Sequence, residues 1–89
     1  MILHLGGDSF VKTKEILMIL DYEEAARNKD TSLFLKKLKT TALDGEPRAV
    51  VITEEQGMKK AYLSPISPRT LMKRSSGGED AFLRQDPQG

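Results

Sequence analysis

Residues 45–74, GEPRAVVITEEQGMKKAYLSPISPRTLMKR, constrain this chain more than any other stretch. Two apolar runs, 48–53 and 61–66, flank a polar turn containing Gly57, which is the pattern of an antiparallel hairpin. A helix start follows at once. Ser67 supplies a side-chain oxygen for the cap, and Pro68 sits at the first helical position, where its missing N–H costs nothing. The body, Arg69-Thr70-Leu71-Met72-Lys73-Arg74, places Arg69 and Lys73 four apart on one face. The unit is a hairpin that feeds a basic helix, with cations at both ends.

The rest of the chain gives that unit little material to work with. At 89 residues with no cysteine and one histidine, neither disulfides nor a histidine-cysteine metal site can reinforce a small core. Self-association is the remaining means, and the absence of cysteine fits a reducing cytoplasm. The start, Met1-Ile-Leu-His-Leu-Gly, has no basic region and no long apolar run, so the reading is a cytoplasmic protein with no membrane partner. Residues 76–89, SGGEDAFLRQDPQG, read as a disordered tail, so residues 1–75 make the domain. The Phe82-Leu83 pair in that tail is a minor candidate for docking a protein partner.

Along the first half, residues 1–5 and 9–13 flank Gly6-Gly7-Asp8 and predict a tight hairpin. Residues 16–20, ILMIL, predict a strand buried on both faces. Two short helices can hardly cover both faces of a sheet, so Ile16, Met18 and Leu20 are candidates for an interface with a second copy. Residues 22–29 read as a loop or a weak helical turn. Asp30 or Thr31 caps a helix from Ser32, with Phe34, Leu35, Leu38 and Ala42 at helical spacing. Pro47 opens the fourth strand. The fold class is therefore α+β: a small, mainly antiparallel sheet of about five strands, with one central and one C-terminal helix.

Chemistry is poorly represented. His4 stands alone in the first strand. Gly6-Gly7-Asp8 lacks the lysine and the following helix of a phosphate-cradling loop. Asp21, Glu23 and Glu24 lack the ligand spacing of a calcium loop and read as a solvated segment. No cofactor or metal is implied, and no enzyme. Charge is more informative: residues 1–30 carry −2, residues 31–75 carry +5 and the tail −2. Arg48, Lys59, Lys60, Arg69, Lys73 and Arg74 are the candidate anion-binding residues, although Lys73 and Arg74 also oppose a helix dipole. Such cations contact phosphates without reading sequence. With Tyr62 the one aromatic nearby in sequence, double-stranded DNA is a better partner than single strands.

The pattern G-x-P-R-A-V-V-I-T followed by Y-L-S-P-I-S-P-x-T-L-x-K-R, with H-L-G-x-D near the start and E-I-x-x-I-x-D in the third strand, resembles the RemB branch of the bacterial extracellular matrix regulator family. The sister RemA branch is less similar. The resemblance spans residues 1–75. It implies a homo-oligomeric ring and DNA binding that activates biofilm-matrix genes. It also implies DNA-facing arginines just before the R-A-V-V strand and at the start of the third strand. Arg48 matches the first place; at the second stands Glu15, preceded by Lys14, which joins the DNA-binding candidates. Glu46 and Glu15 favour an alternative, a ring-forming scaffold or protein-interaction module without a DNA surface.

Overall fold

A computed structural model describes residues 1–75 of the chain. The expected disordered tail and its Phe82-Leu83 pair lie outside the described residues. The first strands, β1 (Ile2–Gly6) and β2 (Ser9–Lys12), form a two-stranded antiparallel hairpin. A single 3₁₀ turn, Thr13–Glu15, leads to β3 (Ile16–Asp21), then α1 (Tyr22–Arg27), α2 (Lys29–Lys36) and β4 (Lys39–Ala42). The second half is β5 (Ala49–Glu55), β6 (Met58–Ser64) and α3 (Pro68–Ser75). Strands β3 to β6 make a second sheet in the order β3-β5-β6-β4, antiparallel except for the β4–β6 pair, which is parallel.

The hairpin of residues 45–74 forms as expected and is longer than its apolar runs, because Gln56 and Gly57 both take positive φ (53° and 81°). Two successive positive-φ residues make the turn whose twist matches paired strands. Ser67 caps α3 as predicted: its Oγ accepts from Thr70 N at 3.3 Å, and its carbonyl accepts from Leu71 N at 3.0 Å.

The strand buried on both faces is β5, not β3. Ala49 and Val51 belong to one core with Leu3, Leu5, Val11 and Leu71, under the β1–β2 hairpin and α3. Val50 and Ile52 belong to another with Ala25 and Ala61, under α1 and α2. By contrast β3 is an edge strand, and an irregularity between Ile16 and Met18 breaks its alternation. Ile16 and Ile19 therefore pack on the hairpin side and Leu20 on the helical side, while Leu17 and Met18 are each 47 % exposed.

Of the two states expected here, loop or helical turn, residues 22–27 take the helical one, because Asp21 Oδ2 accepts from Glu24 N at 3.1 Å. The expectation for the helix after it needs correction. The next helix starts before Ser32, capped by Asn28, whose Oδ1 accepts from Thr31 N at 2.9 Å. It also stops at Lys36, so Ala42 lies on a strand and Phe34 is exposed. Thr40 Oγ1 donates to the Leu38 carbonyl at 3.3 Å at the helix exit. From there residues 39–42 add to the open edge of β6. Helical spacing was locally correct, and the strand partner overrode it. The domain thus has six strands in two sheets and three helices.

The two sheets are tied through the end of β6. Ser64 Oγ donates to the Leu5 carbonyl at 2.5 Å in a buried bond and accepts from the half-buried Ile66 N at 3.1 Å. The Pro65 ring then fits between two glycines: a Cβ on Gly6 or Gly45 would lie 3.0 Å from it, and both have positive φ.

Near the tip, Glu55 gathers the face of β5 and β6. Its Oε2 accepts from Thr53 Oγ1 at 2.6 Å and from the Tyr62 hydroxyl at 2.7 Å, and its Oε1 accepts from Lys60 Nζ at 3.3 Å. The Thr53 hydroxyl, helped by Tyr62 and Lys60, holds the carboxyl below its ordinary value of 4.5 against the opposing effect of burial. Burial and the bond to Glu55 push the Tyr62 phenol up to about 12.

Two outcomes follow for stability. Leu71, fully buried, should cost about 2–5 kcal/mol on replacement by alanine. Met72→Ala, on the exposed side of the same helix, should cost within about 0.5 kcal/mol, and equal denaturation midpoints for the two would contradict this packing. A carboxyl whose folded pKa is depressed stabilises the fold above its unfolded value and loses that contribution as pH falls through the folded one. Glu55→Gln should therefore lower the urea midpoint at neutral pH and flatten its decline as pH falls from the ordinary carboxyl value of 4.5 through the lower folded one, where the wild-type carboxylate takes up its proton.

Candidate nucleic-acid interface

Strand direction sorts the candidate cations into two groups. Arg48 lies at the end of β5 next to α3, and its backbone is fixed on both sides: its N–H donates to Ser64 O at 2.8 Å, and its carbonyl accepts from Tyr22 N at 3.0 Å. Arg69, in the first turn of α3, joins it around an open cleft of about 830 Å³. Asp21, Glu23 and Glu46 line the same cleft, so carboxylates outnumber arginines there. Among the described residues neither arginine has a carboxylate within 4.0 Å. The cleft can hold an anionic group between two guanidinium forks, but with opposition from its rim.

Lys59 and Lys60 lie at the other end of the hairpin. Seven strand residues at ~3.3 Å each put this end roughly 20 Å from Arg48. Lys59 pairs with Glu54 at 3.8 Å with both side chains about half exposed, a contact that contributes little. Lys60 pairs with Glu55 at 3.3 Å in the shielded network, so its charge is largely committed within the fold. Lys14 belongs to this end as well, because Ile16 faces Thr53 and Thr53 faces Lys60. Within one chain, Lys14 and Arg48 therefore cannot meet the same phosphate. Lys73 and Arg74 are exposed in the last turn of α3, where cations also oppose the helix dipole.

Of the three candidate interface residues, Met18 is the one left substantially open, and its neighbour Leu17 is equally exposed. Sequence alternation missed Leu17 because the irregularity in β3 carries no marker such as glycine. His4 Nε2 lies 2.8 Å from Gly7 O, and its ring packs 4.9 Å from that of Phe10, so the histidine holds the first turn. Among the described residues no cluster of histidine and carboxylates could hold a metal ion, and no helix is long and apolar enough to cross a membrane.

The model of the RemA-like family, extracellular matrix regulatory protein A-like, matches residues 2–74. Extracellular matrix regulatory protein B of Bacillus subtilis (strain 168) is 36% identical over 78 residues, which span 84% of this chain and 90% of that protein. The chain belongs to the RemA-like family of extracellular matrix regulatory proteins and is a RemB-like member of it.

Proposed function

We propose that this protein is a non-enzymatic, oligomeric, DNA-binding regulator of transcription that acts in the cytoplasm on extracellular matrix (biofilm) genes. The observation that carries the reading is Arg48, which the fold presents, pinned through its own backbone and joined by Arg69, at an open sheet end. Oligomerisation is supported by β3. Among the described residues its outer edge has no strand partner, and it exposes Leu17 and Met18 beside that edge. A head-to-tail contact made through this edge and some other surface closes into a ring when the rotation fits. Repetition of one weak site around such a ring raises the effective concentration of each for a bound duplex.

A second reading has its own observation. Asp21, Glu23 and Glu46 around Arg48 repel phosphate, which favours a scaffold that binds protein rather than DNA.

Duplex binding measured over a salt series separates the two. The regulator reading expects log affinity to fall by about 0.9 for each phosphate neutralised per decade of salt. Arg48→Ala should weaken binding and lower that slope by about 1. No retention of a long duplex even at low salt would overturn DNA binding and leave the scaffold.

A further inference from the structure

The parallel strand β4 brings together lysines that are far apart in sequence. One row of paired residues crosses the whole sheet from β3 to β4: Ile16, Thr53, Lys60, Lys39. Lys39 and Lys60 are direct neighbours in it, and like charges side by side on paired strands repel. Lys37, the C-cap residue of α2, stands two residues before Lys39, and Lys14 approaches the far side of the row from the 3₁₀ turn. Lys60 is compensated by Glu55. Lys14, Lys37 and Lys39 are exposed, and among the described residues none of them is ion-paired. Glu54, paired with Lys59, and Glu15 are the other carboxylates at this end of the strands. The excess positive charge of the sheet therefore lies here, at the opposite end from the carboxylate-rimmed cleft of Arg48.

We propose that this lysine end, centred on Lys37 and Lys39 and reaching across to Lys14, is a surface that binds the phosphates of duplex DNA. The proposal rests on the DNA-binding reading above and adds a contact surface to it. Three interstrand steps of about 4.8 Å set Lys39 about 14 Å from β3, close to the ~12 Å width of the major groove. Cations at the two sides of the row thus reach phosphates of both strands of a duplex. Lysines serve here as point charges that supply affinity and position without reading bases. Tyr62, with its hydroxyl held by Glu55 and its ring packed on the core, is not free to stack on single-stranded bases. Edge lysines also discourage strand addition, and lysines after a helix oppose its dipole; neither use would register in DNA affinity.

The test compares two full-length variants that each lose two charges, Lys37→Gln/Lys39→Gln and Arg27→Gln/Lys29→Gln, against a 30-base-pair duplex over a salt series. The lysine-end variant should bind about tenfold or more weakly at low salt and lose about 2 from the log–log slope, while the Arg27/Lys29 variant stays near wild type. Lys37→Arg/Lys39→Arg should retain wild-type binding, which separates loss of charge from loss of fold. Wild-type protein that binds DNA while the lysine-end variant is unchanged, or no weaker than the Arg27/Lys29 variant, overturns the lysine surface alone. Wild-type protein that fails to bind at all overturns the DNA-binding reading beneath it.

Discussion

Burial of β5 on both faces is the constraint on which the rest of this domain depends. Alternate side chains of Ala-Val-Val-Ile enter two separate cores, so each face needs its own cover. The chain supplies the β1–β2 hairpin with α3 on one side and two short helices on the other. Buried Ser64 and the glycine-flanked Pro65 fix the first cover to the sheet. The three helices of the described residues are used on these two faces, and none of the described strands covers the outer edge of β3. A small core and an open apolar edge are thus two results of one allocation, and both favour assembly.

The same sheet sets the electrostatics. Because β3, β4 and β6 run in one direction and β5 against them, residues at strand starts and strand ends collect at opposite limits of the domain. Arg48 and Arg69 gather with carboxylates at one limit, and lysines from four segments gather at the other. A net charge of only +1 conceals this separation. In an assembly that keeps the strands aligned with its axis, each limit would be repeated around one rim, and a duplex would meet many copies of the same modest patch.

Local signals were legible in the sequence, and long-range ones were not. The Gln56-Gly57 turn, the Ser67 cap and Pro68 each act within a few residues, and each is where the residue types place it. The Asp21 cap is equally local, since Asp21 and Glu24 have the spacing of a helix start, but the run of carboxylates there suits a solvated segment as well as a helical turn. Strand β4 is different. Residues 34–42 have acceptable helical spacing, and only the parallel edge of β6, some twenty residues on, makes residues 39–42 extended. The lysine surface depends on that pairing, so it too was out of reach, whereas Arg48 could be found from the motif around it. Leu17 was hidden by an irregularity that leaves no mark in composition.

The central claim is that an assembly of these domains, rather than a single chain, holds duplex DNA. Sedimentation of a labelled duplex with the full-length protein at micromolar concentration tests it most directly, because mass and binding are read on one species. The account predicts that the free protein is oligomeric, that the bound species carries several chains, and that Leu17→Lys/Met18→Lys disperses both. A monomer at micromolar concentration, or one chain per duplex, would contradict it.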